Sequence, residues 1–240
     1  MENTPHHPFT IIIPTYQEAA NIPELVKRIA NVDFDKRSFE VLLVDDDSQD
    51  GSREMICHLS REYPWLKMIV RDKQRDLSQS IIQGFKEARY PILVTMDADL
   101  SHPPEKIAMM LTLLDQPDVD MVIGSRYIKG GSVDTNWPFI RKLTSRTAAW
   151  IARIFLLSPV KDPLSGFLAM KKSTFIAGDT LKPIGWKIGL ELMVKCRCKN
   201  IQEIPIHFSE RCRGKSKLNM RISVAYLRHV LKLWRYKILL

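Results

Sequence analysis

One segment of the chain passes from apolar residues to carboxylates and then to a helix start: Val94-Thr95-Met96-Asp97-Ala98-Asp99-Leu100-Ser101-His102-Pro103-Pro104. Its apolar, β-branched beginning is typical of a buried strand. Glu105 then opens an apolar run with helical spacing, which indicates that a helix follows the loop. The segment therefore predicts a strand, a loop that carries two carboxylates, and a helix.

Asp97 and Asp99 are separated by one small residue at the carboxyl end of this predicted strand. Two such carboxylates can bind a hard cation, and Mg²⁺ sites that bridge substrate phosphates commonly use only one or two protein carboxylates. The pair therefore predicts a site for a divalent metal, Mg²⁺ or Mn²⁺. A solvated turn without a metal is equally compatible with the tripeptide taken alone.

Strands and helices alternate along the first half of the chain. Apolar runs predict strands at residues 9–13, 41–44, 67–70, 92–96 and 120–124, and helical spacing predicts helices at 18–30, 51–62 and 78–89. This alternation is typical of an α/β fold with parallel βαβ units, an open sheet and helices on both faces. Ligands bind such sheets beyond the carboxyl ends of the strands. Those ends carry Tyr16, Glu18, Asp45, Asp46, Asp47, Asp97 and Asp99. We therefore expect one acidic site at that edge.

The composition of the 240 residues, 45% hydrophobic and 26% charged, is that of a globular protein. No apolar run reaches the roughly 18–20 residues that cross a bilayer, and the first residues lack a signal-peptide pattern. The four cysteines lack metal-finger spacing, so we expect reduced thiols. We expect one domain over residues 1–240, in the cytoplasm.

The net charge of +9 is concentrated at the end of the chain. Residues 211–240 contain no Asp or Glu, and their basic residues are Arg211, Arg213, Lys215, Lys217, Arg221, Arg228, Lys232, Arg235 and Lys237. Such a block favours an anionic partner, either a phosphate, an acidic membrane surface or a nucleic acid. The alternative is a solvated basic tail.

Two basic amphipathic helices are predicted after residue 130, at 139–157 and 221–238. Both combine a broad apolar arc, with Trp150 and Trp234, and a stripe of Arg and Lys. This pattern is typical of helices that lie in the plane of a membrane interface, although each apolar face could equally pack on the sheet. We assign residues 131–160 as a candidate membrane-interface region and 205–240 as a basic extension that meets the acceptor or the membrane.

Glycine-rich phosphate-binding fingerprints are absent from the sequence. A phosphate ligand would therefore need a metal and basic side chains. Arg126 follows a predicted strand end and is a candidate for that role; a surface ion pair is the alternative interpretation of a lone arginine.

Six motifs occur together in the order typical of one enzyme family. They are Pro14-Thr15-Tyr16-Gln17-Glu18, Val44-Asp45-Asp46-Asp47-Ser48, Met96-Asp97-Ala98-Asp99-Leu100, Gly124-Ser125-Arg126-Tyr127, Lys161-Asp162-Pro163-Leu164-Ser165-Gly166-Phe167 and Arg213-Gly214-Lys215-Ser216-Lys217-Leu218. In these motifs the chain closely resembles the dolichol-phosphate mannosyltransferases, which are family 2 glycosyltransferases of the GT-A fold. The resemblance extends from about residue 9 to 235 and implies a Rossmann-like, mixed but mostly parallel sheet.

The resemblance implies inverting transfer of mannose from GDP-mannose to a polyprenyl phosphate such as dolichyl phosphate. It implies that the donor nucleotide is bound by Pro14, Tyr16, Glu18, Val44, Asp46, Asp97 and Ala98. It implies that the metal is bound by Asp97, Asp99 and, where many members carry a glutamine, Ser101. For the acceptor and its phosphate it implies Arg126, Asp162, Ser165, Arg211, Arg213 and Lys217. The residues closest to the chemistry are then Asp99, Arg126 and Arg213.

The resemblance also implies a membrane partner, because the acceptor is a lipid. We expect peripheral binding on the cytosolic face of a membrane, either directly or through an anchoring subunit, and no nucleic-acid partner. Two other functions remain open: transfer from UDP-glucose or another nucleotide sugar to the same lipid, and nucleotide or membrane binding without catalysis. Asp76, at a position where the family usually has glycine, and Ser101 are the departures that allow the second of these.

Overall fold

The computed structural model describes residues 6–184, 187–210 and 220–239, and its central element is a seven-stranded sheet. The strands are β1 (Phe9–Thr15), β2 (Phe39–Asp45), β3 (Leu66–Val70), β4 (Ile92–Thr95), β5 (Met121–Ser125), β7 (Leu168–Lys171) and β8 (Ile201–Pro205). Their order is β3-β2-β1-β4-β7-β5-β8, and β7 runs antiparallel to β4 and β5. A second, two-stranded sheet pairs β6 (Ser132–Val133) with β9 (His207–Phe208). The predicted mixed, mostly parallel sheet is confirmed.

Helices cover both faces of this sheet. They are α1 (Ile22–Ala30), α2 (Ser52–Glu62), α3 (Leu77–Glu87), α4 (Ile107–Leu114), α5 (Phe139–Phe155), α6 (Lys172–Ile176), α7 (Ile188–Lys195) and α8 (Met220–Ile238). In β1 successive side chains point to opposite faces, so Ile11 and Ile13 pack in the cluster with α1, α2 and α4. Ile12 packs in the other cluster, with α3, α5, α7 and α8. The apolar run of β1 is buried throughout because both faces are covered.

Several boundaries and elements differ from the predicted ones. The helix predicted at 18–30 begins only at Ile22, because residues 18–21 form a turn before Pro23. The strand predicted at 120–124 spans Met121–Ser125. The sequence pattern does not predict β7, β8, α6 or α7. β7 contains no β-branched residue, Gln202 and Glu203 interrupt the apolar residues of β8, and α6 has only five residues. β7 is the strand that makes the sheet mixed.

The two predicted amphipathic helices form, and most of their large apolar residues are exposed. In α5 only Ala149 and Ala152 are buried, whereas Phe139 is 77% exposed and Ile140 76%. α5 therefore packs through a stripe of small residues and leaves its bulky apolar stripe uncovered, so the sheet does not cover that face. α8 packs beside it, with Trp234 against Phe155 at 6.2 Å between ring centroids. Within the described ranges, no helix is long and apolar enough to cross a bilayer.

Gly84 on α3 allows that helix to lie close to the sheet, which gives a test of the fold. A methyl group at Gly84 would overlap the side chain of Ile12 on β1 and press on Val44 of β2 at 3.2 Å. We expect Gly84→Ala to lower the free energy of unfolding by about 1–3 kcal/mol, as overpacking does, despite the better helix propensity of alanine. Urea unfolding measures this loss, with Gln83→Ala as the control. Equal or greater stability of Gly84→Ala would contradict the packing of α3.

Candidate active site

The carboxyl ends of β1, β2 and β4 enclose a cleft of about 130 Å³. Parallel pairing of β1 with both neighbours brings these ends to the same edge of the sheet. The cleft is lined by Pro14, Thr15, Tyr16, Glu18, Asp46, Arg75, Leu77, Asp97, Ala98 and Asp99. The residues predicted for the donor nucleotide therefore meet in one place, with the exception of Val44. The side chain of Val44 is fully buried in the core, and its part in nucleotide binding stays a prediction.

Asp46 is bound by a network that crosses from β2 to α3. Its Oδ1 accepts hydrogen bonds from Arg71 Nη1 and, at 2.8 Å, from Ser80 Oγ, and its Oδ2 accepts the backbone N–H of Asp76 at 2.9 Å. Arg71 and Asp46 are each 4% exposed in their side chains. Asp46 therefore shapes the wall of the cleft and holds the loop before α3.

Asp76 caps the amino terminus of α3. Its Oδ1 accepts the backbone N–H of Ser78 at 2.9 Å and that of Gln79 at 3.2 Å. A carboxylate at this end of a helix is stabilised by the unpaired N–H groups and the helix dipole. The departure from glycine thus has a structural role, and the negative charge is directed at the helix.

Asp97 and Asp99 lie on the loop that follows β4. Leu100 has a φ of 65°, in the left-handed region, and this turn folds Ser101 back onto Asp99. The hydroxyl and the backbone N–H of Ser101 both donate to Asp99 Oδ1, at 2.5 and 3.1 Å. Asp99 is 5% exposed and Ser101 fully buried. Ser101 therefore orients Asp99, and its service as a metal ligand remains a prediction.

His102 packs against the same loop and accepts a hydrogen bond from it, a role that the sequence analysis does not predict. Its Nδ1 accepts the backbone N–H of Asp97 at 3.0 Å, and its ring stacks on Phe167 with 5.2 Å between centroids. Burial lowers the pKa of His102, against the opposing effect of Asp97 and Asp99. The neutral ring suits the acceptor role of Nδ1. Its position three residues after Asp99 is the signal in the sequence that points to it.

The two carboxylates fit a divalent metal that is shared with a ligand. Among the residues that the structure describes, no group of three His, Cys, Asp or Glu side chains is arranged to hold a metal ion alone. Mg²⁺ and Mn²⁺ prefer oxygen ligands, and Mg²⁺ commonly combines one or two carboxylates with substrate phosphates and waters. Asp97 and Asp99 at the mouth of a small cleft match that arrangement.

Arg126 and Asp162 form a bidentate pair beside this loop. Nε and Nη2 of Arg126 each donate to Asp162 at 2.7 Å, and the backbone N–H of Arg126 donates at 3.0 Å. Burial alone would lower the pKa of Arg126, but the hydrogen bonds and charge of Asp162 raise it. Arg126 is thus in an ion pair, but a buried one and not the surface pair of the alternative interpretation. The charge of Asp97 also acts on this guanidinium, and its predicted contact with a phosphate stays a prediction.

The remaining predicted acceptor residues divide into two groups. Ser165 lies in the turn after Asp162, and its Oγ accepts the backbone N–H of Phe167 at 3.2 Å, so its observed contact is structural. Arg211, Arg213 and Lys217 lie outside the described residues. Sequence reasoning also assigns no role to Arg71 or Arg75; Arg75 stacks on the Tyr16 ring at 3.8 Å. Both follow the end of β3, so the strand-end rule could have included them.

Arg71 offers a test of the buried network around Asp46. Removing one partner of a buried ion pair leaves an uncompensated charge, and this typically costs about 3–5 kcal/mol. We expect Arg71→Ala to lose stability in that range. Arg28→Ala is the control, because Arg28 pairs with Glu105 at 2.8 Å with side chains 29% and 54% exposed, and exposed pairs are worth about 0–1 kcal/mol. Equal midpoints of urea unfolding for the two variants would contradict the network.

Comparison with known proteins assigns the chain to a family. The family model "Glycosyl transferase family 2" matches residues 10–176. The chain is 44% identical over 230 residues to a dolichol-phosphate mannosyltransferase of Pyrococcus furiosus, covering 95% of this chain and 64% of the relative. It is 35% identical over 240 residues to that of Saccharomyces cerevisiae, covering 95% and 88%. The chain thus spans less than two thirds of the length of the Pyrococcus protein.

Solved structures share the fold at low sequence identity. A mannosyltransferase of Pyrobaculum calidifontis, solved with GDP-Man and Mn²⁺, superposes with a TM-score of 0.66 at 18% identity, covering 97% of this chain and 64% of that one. Glucosyl-3-phosphoglycerate synthase of Mycobacterium tuberculosis, solved with UDP, superposes with a TM-score of 0.70 at 14% identity, covering 95% and 80%. The sheet, its cleft and the sequence matches lead to one assignment: this chain belongs to glycosyl transferase family 2 and, within it, to the dolichol-phosphate mannosyltransferases.

Proposed function

We propose that this chain transfers mannose from GDP-mannose to dolichyl phosphate or a related polyprenyl phosphate. The observation that carries the proposal is the cleft at the ends of β1, β2 and β4, where the side chains expected for a sugar nucleotide meet the two carboxylates expected for its diphosphate. The names of the relatives that are 35–44% identical over nearly the whole chain support the same donor and acceptor.

Asp97 and Asp99 would hold a divalent cation, Mn²⁺ or Mg²⁺, together with the diphosphate of the donor. Bound there, such an ion supplies neutralisation of the charge that develops on the leaving GDP. The hydroxyl of Ser101 donates a hydrogen bond to the carboxylate of Asp99, and His102 accepts one from the backbone N–H of Asp97. Side chains that are fixed before the donor arrives need no reorganisation during the reaction, which is the basis of electrostatic stabilisation of a transition state.

The acceptor needs no general base from the protein. A phosphate monoester has a second pKa near 6, so it carries its nucleophilic oxygen already ionised near neutral pH. Direct attack of that oxygen on the anomeric carbon, with departure of GDP from the opposite face, gives inversion. The protein must then align two anions and offset their repulsion.

Arg126, which lies close enough to Asp97 to feel its charge, would offset that repulsion. Asp162 occupies Nε and Nη2 of its guanidinium, which fixes the plane of the group. Within the described part of the chain, Nη1 has no hydrogen-bond partner, so this edge can donate to a phosphate oxygen. Arg211, Arg213 and Lys217 would contribute further positive charge, as the resemblance implies.

A transfer assay tests the proposal directly. We expect the purified chain with a polyprenyl phosphate, Mn²⁺ and detergent to form mannosyl-phosphoryl-lipid from GDP-mannose, and to form no glucosyl lipid from UDP-glucose. Asp99→Asn should reduce kcat at least about a hundredfold, because charge neutralisation by a bound metal is worth several kcal/mol.

Asp47→Asn is the matched control for that assay. Asp47 also follows β2, yet its side chain is 55% exposed, pairs with Arg53 and does not line the cleft. We expect its rate to equal that of the unchanged protein. Absence of product from a folded protein with either sugar nucleotide, or full activity of Asp99→Asn, would overturn the proposed function.

We further propose that the chain binds peripherally to the cytosolic surface of the membrane that holds its lipid acceptor. The exposed apolar residues of α5 and α8 support this placement. On α5 they are Phe139, Ile140, Leu143, Trp150, Ile154 and Phe155, and on α8 they are Val224, Leu227, Leu231, Trp234 and Ile238. Apolar patches on this scale mark interaction surfaces, and neighbouring Arg and Lys suit an anionic lipid surface.

Two exposed residues at the start of α5 test this placement. We expect Phe139→Ser combined with Ile140→Ser to weaken binding to phosphatidylcholine vesicles at least about tenfold, since burying each side chain is worth about 1.5–3 kcal/mol. Stability should hardly change, because both side chains are exposed in the protein. Met55→Ser combined with Met109→Ser, at exposed positions on α2 and α4, is the control. Equal sedimentation with vesicles for both double variants would contradict the placement.

A further inference from the structure

A second cavity lies beside α5 and has no part in the cleft described above. Its volume is about 560 Å³, within the roughly 300–1,000 Å³ of small-molecule sites. The lining residues are Tyr127, Arg146, Thr147, Ala149, Trp150, Arg153 and Lys161. None of them lines the sugar-nucleotide cleft. Three of the seven are cations and none is acidic, so the cavity favours an anion.

The three cations have no carboxylate partners in the described ranges of the chain. Arg146, Arg153 and Lys161 form no side-chain ion pair there, and Nε of Arg153 is buried without a hydrogen-bond partner. Arg146 lies 5.9 Å from the centre of the Tyr127 ring. Arg146 and Lys161 are exposed and Arg153 is half-buried. The buried Nε of Arg153 raises the free energy of the protein unless a ligand or water accepts its hydrogen bond. An oxyanion with several acceptor oxygens would satisfy all three side chains.

The position of the cavity identifies the kind of anion. Arg146, Trp150 and Arg153 follow one another along α5 at helical spacing, beside the exposed apolar stripe that contains Leu143 and Ile154. Trp150 belongs to both, since it lines the cavity and is 60% exposed. A ligand in this cavity would therefore have its anionic group among the cations and an apolar part along the stripe. Tryptophan beside basic residues is typical of the headgroup level of a bilayer.

We propose that this cavity binds the phosphate of an acidic membrane phospholipid, separately from the lipid that accepts the sugar. The proposal rests on the proposed placement of α5 at the membrane. Because α5 is packed on the core through Ala149 and Ala152, lipid phosphate held by Arg146, Arg153 and Lys161 would fix the orientation of the whole protein on the bilayer. It would thereby set the height of the reaction cleft above the bilayer.

Vesicle binding by a triple variant, in which neutral glutamines replace the three cations, tests the site. The variant is Arg146→Gln, Arg153→Gln and Lys161→Gln. The probes are vesicles of phosphatidylcholine alone and of phosphatidylcholine with one fifth phosphatidylglycerol, at physiological salt. The unchanged protein should bind the anionic vesicles more tightly, and the variant should lose this preference by roughly 100-fold, since each basic side chain near an anionic surface contributes about fivefold.

A matched variant separates a specific site from general charge. Arg61→Gln, Lys86→Gln and Arg89→Gln remove the same charge from exposed positions on α2, on α3 and just after α3, none of which lines the second cavity. This control variant should retain most of the preference for anionic vesicles. Both triple variants should transfer sugar in detergent at the rate of the unchanged protein. An equal loss of preference in the two triple variants would overturn the proposal. So would saturable binding of inorganic phosphate that depends on the same three residues while vesicle binding does not.

The vesicle assay also distinguishes this proposal from the one on which it rests. If the unchanged protein binds neither kind of vesicle, the membrane placement fails. If it binds both kinds equally, the placement stands and the phospholipid site fails.

Discussion

Parallel pairing of β1 with β2 and β4 is the constraint on which the site depends, because it ends three strands at one edge and concentrates carboxylates there. Such a concentration of negative charge is unfavourable unless each carboxylate has a compensating partner. Asp46 has Arg71 and Ser80. Asp99 has the hydroxyl and N–H of Ser101, and the backbone of Asp97 is held by His102. The network leaves the site acidic and ordered, which suits a divalent cation and the diphosphate that it would bind.

The antiparallel strand β7 supplies the other side of the site. β7 lies between β4 and β5. The segment that precedes β7 contains Asp162, which therefore lies at the end of β5 and pairs there with Arg126. Phe167, just before β7, stacks on His102 and links this side to the loop of Asp97 and Asp99. A basic group fixed by a buried carboxylate thus lies beside an acidic group fixed by a hydroxyl and an imidazole. The proposed transfer between two phosphate-bearing substrates would use both charges and would need no proton acceptor.

The parts of this site that depend on local pattern can be predicted from the sequence. The apolar runs of β1, β2 and β4 predict strands. The rule that ligands bind at strand ends then predicts that Tyr16, Asp46 and Asp97 lie close together. Contacts between segments that are far apart in the sequence cannot be predicted in this way. Nothing local marks Arg71 as the partner of Asp46 or Asp162 as the partner of Arg126, since both pairings depend on how the strands are ordered. β7 has the length of β4 but contains no β-branched residue, so its strand signal is weaker.

The packing of α5 is a further feature that the sequence leaves open. Its broad apolar arc is compatible both with packing on the sheet and with a membrane interface. The contact is made by Ala149 and Ala152, whose small side chains let the helix approach the core, while the bulky residues of the arc stay exposed. Apolar periodicity alone does not distinguish these two kinds of apolar residue, because both lie on one broad face of the helix.

We expect Asp97 and Asp99 to bind the donor diphosphate through a divalent cation. Isothermal titration of the protein with GDP, in Mn²⁺ and then in EDTA, tests it without relying on catalysis or on the membrane. We expect GDP to bind at least about tenfold more tightly with Mn²⁺, and by linkage Mn²⁺ to bind correspondingly more tightly with GDP. Asp99→Ala should remove this coupling. Equal affinity for GDP in Mn²⁺ and in EDTA would contradict the account, as would coupling that survives in Asp99→Ala.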